Sequence, residues 1–530
     1  MAIVGNCFFR LCCCVRALYR LIFQRLMSEE INRPLFLLVI FIGSLVSPTT
    51  AVAETFYGPP YSYSLGCVSD YPPYGSVDQA VTEWWARYYS CWSSVFPGCT
   101  YARTDYPDGK QTGIFASMLL QGTCGGGNGV YGTAYFYDPG KNNGPSECTK
   151  GGPVGAGNPI NTAISNKYQI EVDYVATISA GLSFHRYYNS NPSAQSSSLG
   201  NQWRHDFARS VVLAENGTSA TASVLRADGK VYDFVLQSGS WIPDGDVVAT
   251  LSQLSDTSGT ATGWRYITAN GSTELYDVNG VLQSATDIKG NSTTFSYIVA
   301  SGLLETVGTN VGDSLAFAYD VESRIALLTD NTDRTWGYRY DASNNLEFVD
   351  NPDGTTKQYH YEDASFPSAL TGITDERGIR YATYGYDASG RAILSTHAGN
   401  AQRVDIIYND TDGTRTVTNS LGQPSTYSTA IQLGVALVTD ISGPGCLTCG
   451  TGNTGYVYDP ANNNLLSKIE SGVTTRFGQY DNKRQYGCKA EGITAADASI
   501  GECTFDPIAS PDARRTDYTY DARFFNRITS

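Results

Sequence analysis

The chain has 530 residues, a formal net charge of −15 at pH 7, 41% hydrophobic residues and 16% charged residues. It is long and apolar enough to bury a large core, and its length predicts more than one domain. An acidic chain without a Lys/Arg cluster in its body lacks the basic surface that phosphate backbones require, which excludes nucleic acid as a leading partner. The 54 Gly, 37 Tyr and 20 Phe favour short strands joined by tight turns, so an all-β fold is predicted.

The N-terminal region, residues 1–53, has the pattern of a secretory signal. An apolar run from Leu35 to Val46 is followed by small residues up to Ala53 and then by Glu54. The run is short for a helix that spans a bilayer, so cleavage between Ala53 and Glu54 is predicted. The protein is then secreted or held at the surface of a bacterium. The alternative is an uncleaved Leu35–Val46 segment that tethers it to the membrane, which is a partner only through this region.

A basic, apolar stretch, "MAIVGNCFFRLCCCVRALYRLIFQRL", precedes this signal. It has three interpretations: a long n-region, an amphipathic helix at the membrane surface, or residues upstream of the true start. The third is favoured, because Met27 alone opens a conventional signal.

Nine cysteines follow the cleavage point, and in an exported protein they predict disulfides. They form an N-terminal and a C-terminal group, and pairing is expected within each group. The candidates are Cys67, Cys91, Cys99, Cys124, Cys148, Cys446, Cys449, Cys488 and Cys503. The Cys446-Leu-Thr-Cys449 pair is also half of a zinc pattern, but no second closely spaced pair follows it, so disulfides are favoured over a metal site.

The amino-acid composition changes twice after the signal region. Residues 54–150 are rich in Tyr, Trp and Cys and contain "AVTEWWARYYSCW", the one stretch that favours a short helix, so a small disulfide-supported domain is predicted. A flexible joint, "TKGGPVGAGNP", follows. Short strands and Gly-containing turns begin at Lys167, and they predict a pre-repeat β domain over 151–300 and a repeat region over 301–530.

Tyr-Asp pairs recur with a period of about 21 residues, which indicates an array of hairpins. The pairs are Tyr319-Asp320, Tyr340-Asp341, Tyr361-Glu362, Tyr386-Asp387, Tyr458-Asp459, Tyr480-Asp481 and Tyr520-Asp521. In each pair the acid is expected to end a strand, since its carboxylate can accept backbone N–H groups two residues on. Asn344 or Asn345 is expected to take a left-handed conformation in the turn, as is Gly390.

Trp336, Tyr338 and Tyr340 alternate onto one strand face, where we expect them to stack on the equivalent rings of the next unit and form the core. Aromatic faces with nearby Asp and Asn also suit sugar rings, but the core interpretation is favoured.

The repeat motifs "YDASGR" and "NPDGT" resemble the Rhs/YD-repeat family of bacterial exported and polymorphic-toxin proteins. The upstream stretches "GNPIN", "RYYNS" and "LGNQWRH" resemble the domain that precedes the repeats in that family, and the resemblance covers roughly residues 155–525. It implies a wide β-sheet that spirals into a shell. In some members the shell encloses a toxic C-terminal domain released by self-cleavage, and other members are surface proteins.

This chain departs from the full pattern of the family. It ends at "YDARFFNRITS", inside a repeat, and it lacks the paired Asp-Pro-x-Gly motifs of the self-cleaving boundary. We therefore expect an extended, curved and incomplete sheet, without closure or autoproteolysis in this polypeptide.

Catalytic and cofactor signatures are not recognised in the sequence. The four His have no evident nucleophile or metal partner, and no phosphate loop, Gly-x-Ser-x-Gly elbow or His-Glu-x-x-His helix occurs. We therefore expect no enzyme activity, no catalytic residue, no cofactor and no metal. The first hypothesis is an exported YD-repeat scaffold, the N-terminal part of a toxin-delivery or surface protein, whose partner is a downstream repeat or toxin segment. The alternative is an adhesin that binds cell-envelope glycans, and a secreted hydrolase is a third hypothesis.

Overall fold

A computed structural model describes the following parts of the chain: residues 100–106, 116–124, 127–136, 140–145, 155–176, 181–191, 197–216, 219–409, 411–444, 452–497 and 501–520. Within them, helix is confined to the short 3-10 turns Gly140–Asn142 and Ala398–Asn400, and neither could span a bilayer. The signal region, its cleavage site and the predicted short helix lie outside the described residues.

Two small antiparallel sheets precede the main one. The first contains β1 (Thr100–Tyr106), β2 (Ala116–Cys124) and β3 (Gly127–Phe136). The second contains β4 (Gly155–Ala156), β5 (Ile160–Asn161), β6 (Asn166–Val175), β7 (Ser183–Asn189) and β8 (Trp203–His205). Residues 155–209, which include the second sheet, are called the crossing segment below.

The main sheet consists of strands β9–β35, each paired antiparallel with the next strand along the chain. Its first half contains β9 (Ser210–Asn216), β10 (Ser219–Leu225), β11 (Val231–Gln237), β12 (Ser240–Pro243), β13 (Thr250–Ser255), β14 (Ala261–Ile267), β15 (Thr273–Asp277), β16 (Leu282–Thr286), β17 (Ser292–Tyr297), β18 (Leu304–Thr309), β19 (Ser314–Tyr319), β20 (Ile325–Asp330), β21 (Thr335–Tyr340) and β22 (Leu346–Asp350). Its second half contains β23 (Thr356–His360), β24 (Gly372–Thr374), β25 (Arg380–Tyr386), β26 (Ala392–His397), β27 (Ala401–Asn409), β28 (Thr414–Thr418), β29 (Pro424–Gln432), β30 (Val435–Ser442), β31 (Thr454–Tyr458), β32 (Leu465–Glu470), β33 (Val473–Tyr480), β34 (Tyr486–Ile493) and β35 (Arg514–Asp517).

Turns that are far apart in the sequence touch because this sheet curls. A Cβ added at Gly245, between β12 and β13, would lie 2.1 Å from the carbonyl oxygen of Ala461. The neighbouring carbonyl of Asp246 accepts a hydrogen bond from Arg484 Nη1 at 2.5 Å. Strands β9 and β35 do not pair with each other among the described residues, so the sheet is not closed; the other edge of β9 meets the turn between β15 and β16, where the Val211 N–H donates to the Gly280 carbonyl at 3.0 Å. The predicted all-β fold, an extended and curved sheet of antiparallel hairpins, is confirmed.

Local irregularities recur at the same place in many hairpins. The register shifts immediately before Tyr297, Tyr319, Tyr340, Tyr386 and Tyr458, as in a β-bulge. A bulge increases the right-handed twist of a strand pair, so its repetition is a local source of curvature for the whole sheet.

The main core lies between one face of this sheet and the crossing segment. It includes Phe184 and Trp203 from the segment, and Phe317, Tyr338 and Tyr359 from the sheet. Strand pairing continues across residue 300, where β17 pairs with β18. The sequence boundary between a pre-repeat domain and the repeats is therefore not a break in the sheet. Of residues 54–150, the described part is β1–β3 and residues 140–145, so the Cys-rich domain stays a prediction.

Candidate functional site: the segment that crosses the repeat sheet

The tyrosine of each Tyr-Asp pair fastens its hairpin to the preceding one. The Tyr340 hydroxyl donates to the carbonyl of Ile325 at 2.7 Å, and the Tyr361 hydroxyl donates to that of Leu346 at 2.9 Å. The same bond joins further pairs of residues: Tyr319 to Leu304, Tyr386 to Leu370, Tyr408 to Ala392, Tyr458 to Val438, Tyr480 to Leu465 and Tyr520 to Tyr486. The repeated Tyr-Asp pairs of the sequence thus correspond to a ladder of hydrogen bonds from tyrosine hydroxyls to backbone carbonyls.

The acid of each pair builds the turn that the sequence predicts. Asp341 Oδ1 accepts the N–H groups of Ser343 and Asn345, both at 2.8 Å. Asn344 has a φ of 65° and Gly390 a φ of 73°, so both lie in the left-handed region. The same pattern of N–H donors two and four residues on recurs at Asp320, Asp387 and Asp481, and Asp459 accepts from the N–H two residues on. Glu362 differs, because it pairs with Arg380 at 2.7 Å.

The expected stacking of rings between successive units is wrong. Trp336 and Tyr338 are buried, but the rings that they contact belong to the crossing segment: Tyr174 lies 5.9 Å from Trp336, and Phe184 lies 6.3 Å from Tyr338. Tyr340 is half-buried and uses its hydroxyl on a backbone carbonyl. Trp336 and Tyr338 are therefore covered by rings of the crossing segment and not by the next hairpin.

The crossing segment contacts the sheet from β15 to β30. At one end, Arg209 forms an ion pair with Glu274 of β15, and the Ser198 carbonyl accepts from the N–H of Ile325, in β20, at 2.7 Å. Near the middle, the Tyr188 hydroxyl accepts from the N–H of Leu370 at 2.8 Å. At the other end, Ala163 shares a small apolar cluster with β30. One stretch of about fifty residues therefore ties together strands that come from the whole repeat region.

A buried arginine occupies the centre of this interface. The Arg186 side chain is 1% exposed and binds Asp173 through Nε at 2.6 Å and Nη2 at 2.9 Å. Its Nη2 also donates to the Tyr359 hydroxyl at 2.9 Å, while the Tyr338 hydroxyl donates to Asp173 Oδ2 at 2.8 Å. The guanidinium lies 5.1 Å from the ring centre of Trp203. Two tyrosines of the repeats thus complete an ion pair supplied by the crossing segment, which fixes the register between the two.

A second buried pair lies beside it. Lys357 Nζ, on β23, contacts Glu171 Oε2 at 2.8 Å, and Gln169 donates to the other oxygen of Glu171 at 2.8 Å. Burial alone would raise the pKa of Glu171, but Lys357 and Arg186 outweigh it and lower the pKa to about 2. The pair is therefore ionised at any ordinary pH, and loss of Glu171 would leave the buried Lys357 with only the more distant Glu376, 3.1 Å away.

One serine and one histidine lie together in the crossing segment, a proximity that the sequence analysis did not recognise. Ser198 Oγ is 3.2 Å from His205 Nε2, and the N–H of Phe207 donates to His205 Nδ1 at 3.3 Å. Because Nδ1 accepts, Nε2 carries the proton and donates to the hydroxyl. Burial lowers the pKa of His205 to about 3. A general base would have to accept the serine proton at Nε2, so this pair is arranged as a structural hydrogen bond.

His185, on the face of β7 opposite to Arg186, lies close to a carboxylate. Its Nδ1 lies 2.7 Å from Asp206 Oδ2, and the Tyr187 hydroxyl donates to Asp206 Oδ1 at 2.7 Å. The hydrogen bond with Asp206 raises the pKa of His185. No group of three or more His, Cys, Asp or Glu within the described residues is arranged to hold a metal ion.

The remaining candidate positions are placed as follows. Cys488 and Cys503 form a disulfide that joins β34 to the loop before β35. Cys124 lies in β2, and Tyr520 lies next to the last described strand. The other candidates lie outside the described residues: Ala53, Glu54, Cys67, Cys91, Cys99, Cys148, Cys446, Cys449 and Asp521.

The sequence motifs of the crossing segment did not reveal that buried ion pairs are formed by Arg186, Asp173, Glu171 and Lys357. A signal for Arg186 was present, because it shares the strand face of Phe184 and Tyr188 in β7, which alternates buried and half-buried residues. A charged residue at an alternating position on the buried face of a strand indicates a buried ion pair. Its partners could not be assigned, since they lie on other strands.

A protein-family model described as "Domain of unknown function (DUF6531)" matches residues 157–234. This range begins at the "GNPIN" stretch and covers most of the crossing segment and strands β9 and β10. No curated protein matches the chain.

Several solved structures of Tc toxin components match the chain at low identity and low TM-score. A TcdB2-TccC3 structure without the hypervariable C-terminal region is 11% identical, with a TM-score of 0.34, and the match covers 82% of this chain and 27% of that chain. A TcdB2-TccC3 structure is 12% identical, with a TM-score of 0.27 and coverages of 78% and 21%. The Photorhabdus luminescens Tc holotoxin pore is 11% identical, with a TM-score of 0.22 and coverages of 71% and 26%. The chain spans about a quarter of the length of these chains.

Proposed function

We propose that this protein is an exported, non-enzymatic scaffold of the Rhs/YD-repeat type, and that it is the N-terminal part of a toxin-delivery or surface protein. The observation that carries the proposal is the crossing segment, which binds β20 through Ser198, β23 through Arg186 and Glu171, and β28 through Thr162. Such an arrangement holds a wide sheet at a fixed curvature, which is what a container or a rigid surface platform requires.

The chemistry at the interface supports a scaffold. The two buried acids at the centre of the interface are engaged: Asp173 with Arg186 and Tyr338, and Glu171 with Lys357. The Ser198–His205 pair has its proton on the nitrogen that faces the hydroxyl. Groups committed in this way stabilise a fold and are not poised to react.

Delivery and surface attachment require different arrangements of the complete protein that the reading frame encodes. A delivery scaffold encloses or carries whatever polypeptide follows the repeats, whereas a surface protein exposes the repeats to cells or glycans. The resemblance of the sequence to polymorphic-toxin proteins favours delivery. Surface adhesion is the second outcome that the experiment below distinguishes.

The test uses the full product secreted by a bacterial host. It is digested with trypsin before and after unfolding, and the fragments are identified by mass spectrometry. A delivery scaffold leaves the described repeats and the polypeptide attached to them resistant until the protein unfolds. Retention of the native protein on intact cells, with the polypeptide after the repeats cleaved at once, would replace delivery by adhesion. Failure of the protein to leave the cytoplasm would overturn the proposal.

A further inference from the structure

Strand β6 of the crossing segment is paired along the whole of one edge and along only a small part of the other. On one edge it pairs with β7 from Tyr168 to Val175. On the other edge, β5 pairs only with Asn166 and Lys167. Among the described residues, the one further bond on this second edge runs from the Tyr168 N–H to the Pro159 carbonyl, at 3.3 Å. The second edge of β6 is therefore open after Tyr168.

The backbone groups of Ile170 and Val172 point to this open edge. In an antiparallel ladder, successive residues direct their N–H and C=O groups to opposite edges. The Ser190 N–H donates to the Lys167 carbonyl at 2.8 Å, so Lys167 faces β7. By alternation, Ile170 and Val172 face away from β7. Within the described part of the chain, nothing pairs with their two N–H and two C=O groups.

The side chains of the same two residues are apolar and exposed. Ile170 is 38% exposed and Val172 is 39% exposed. They lie on the face of β6 opposite to Glu171, which is buried against Lys357. Proteins normally cover or charge an apolar edge strand, because such an edge is a template for pairing with another strand.

The part of the main sheet beyond the open edge is narrow. Phe184 of β7 lies 6.3 Å from Tyr338. Tyr174 of β6 lies 5.9 Å from Trp336, which is nearer to the start of β21 at Thr335. Beyond β6 there remain only the first residues of the main strands and their turns, a strip about 7–10 Å wide. A strip of this width fits one further strand, at the usual spacing of about 4.8 Å, and not a folded domain.

The floor of this strip is polar. The Arg334 guanidinium lies 5.9 Å from the ring centre of Tyr174, and Glu376 Oε1 lies 3.1 Å from Lys357 Nζ. Both Arg334 and Glu376 are exposed. A strand on this strip would direct alternate side chains toward these charged groups, and the others to the face of Ile170 and Val172.

We propose that the open edge of β6 binds an extended segment of a second polypeptide, in which apolar side chains alternate with polar ones. The backbone of the segment pairs with Ile170 and Val172 as an added strand. Its apolar side chains lie beside these two residues, and its polar side chains face Arg334 and Glu376. This partner goes beyond the scaffold role, which requires no pairing at this edge.

The test is fluorescence anisotropy of labelled peptides mixed with the secreted full chain. The probe is a short capped peptide in which Val alternates with Thr between terminal Lys residues. One control peptide has the same sequence with methylated backbone nitrogens, which cannot donate to a strand. A second control has the same composition with the Val residues grouped together. Saturable binding of the probe, at least tenfold tighter than that of the methylated peptide and tighter than that of the grouped one, is expected. Equal binding of either control, or no saturable binding of the probe, would overturn the proposal.

Hydrogen exchange followed by mass spectrometry shows what occupies the edge. The N–H groups of Ile170 and Val172 should exchange rapidly in the free chain and slowly when the probe is bound. Slow exchange in the free chain would assign the edge to a segment of the chain itself. Protection that rises with protein concentration would assign it to a second copy. Either result would overturn the proposal.

Two substitutions at one position and a matched control locate the binding site. Ile170→Pro removes only the N–H that points away from β7, so the pairing with β7 stays intact, and it should weaken probe binding by about tenfold or more. Ile170→Ser keeps this N–H but loses the apolar contact, and it should weaken binding by about fivefold.

The matched control is Ile267→Ser. Ile267 is 36% exposed, like Ile170, but its strand β14 pairs with β13 on one edge and with β15 on the other. This variant should bind the probe as the unsubstituted protein does. If Ile267→Ser weakens binding as much as Ile170→Ser, or if both Ile170 variants bind normally, the edge of β6 is not the site.

Discussion

Tyr361 makes a second hydrogen bond, to Trp203 of the crossing segment, beside its bond in the ladder, and the contribution of that second bond can be measured. Its hydroxyl donates to the Leu346 carbonyl at 2.9 Å, like every ladder tyrosine, and also accepts from Trp203 Nε1 at 2.8 Å. Tyr319 has the first bond, to Leu304 at 2.7 Å, and within the described residues its hydroxyl makes none with the crossing segment. Tyr361→Phe and Tyr319→Phe therefore form a matched pair of substitutions.

The magnitudes follow from what each substitution leaves unpaired. Tyr319→Phe removes one hydrogen bond to a carbonyl that keeps a second lone pair, which costs about 1 kcal/mol. Tyr361→Phe removes the same bond and also leaves the N–H of Trp203, a residue with 0% exposure, without an acceptor. A buried unsatisfied donor costs about 1–3 kcal/mol, so the total for Tyr361→Phe is about 2–4 kcal/mol.

Urea unfolding of both variants, followed by circular dichroism, gives the comparison. A double-mutant cycle with Trp203→Phe isolates the extra bond, because the two changes should cost less together than their sum by about 1 kcal/mol or more. If Tyr361→Phe is no more destabilising than Tyr319→Phe, or the cycle shows no coupling, then the crossing segment is not held to the repeats as described.

Four further outcomes are expected. Glu171→Gln leaves its lysine partner buried with a weaker acceptor and should lower the free energy of unfolding by about 3 kcal/mol, measured in urea. Cys503→Ser opens a loop that spans 15 positions and should cost about 3 kcal/mol, whereas a disulfide from Cys503 to the N-terminal cysteine group in peptide mapping would contradict the pairing. The pKa of His205 in the folded protein is about 3, below its ordinary value of 6.5. The unfolded state therefore binds the proton first, and the free energy of unfolding falls as the pH drops from 6.5 to 3. His205→Phe should remove up to about 4 kcal/mol of this pH dependence, measured in acid titrations of unfolding. N-terminal sequencing of the secreted protein should begin at Glu54, and recovery of an intact apolar segment in membranes would refute cleavage.

The hairpins and turns could be predicted because their causes are local. Asp341 bonds N–H groups two and four residues on, and Asn344 takes a left-handed conformation beside it, so a short stretch of sequence contains the whole turn. The period of the Tyr-Asp pairs then gives the array. The hydrogen bond from the Tyr340 hydroxyl to the Ile325 carbonyl is also nearly local. The sequence did not reveal this role of the hydroxyl, because a half-buried tyrosine ring is equally consistent with a place in the core.

The interface could not be predicted because its partners are distant in sequence. Arg186 and Tyr359 are separated by 173 positions, and Glu171 and Lys357 by 186. Hydrophobic alternation shows which face of a strand is buried, but it does not show which other strand covers it. The error over ring stacking has the same origin, because the neighbours of Tyr338 come from β7 and not from the next hairpin.

The order in which the crossing segment and its partners are synthesised has a consequence for folding. Thr162 accepts a hydrogen bond from Arg415, which is 253 positions later, so the segment emerges long before the strands that cover it. At typical rates of synthesis this interval is on the order of 10–50 s, and contacts of such long range form slowly even afterwards. The apolar face of Phe184, Tyr188 and Trp203 has its partners somewhat earlier, in Tyr338, Tyr359 and Leu370, and until these are made it has no such partner in the repeats. We therefore expect nascent chains of this protein to be prone to aggregate through residues 155–209 until β24 has been made.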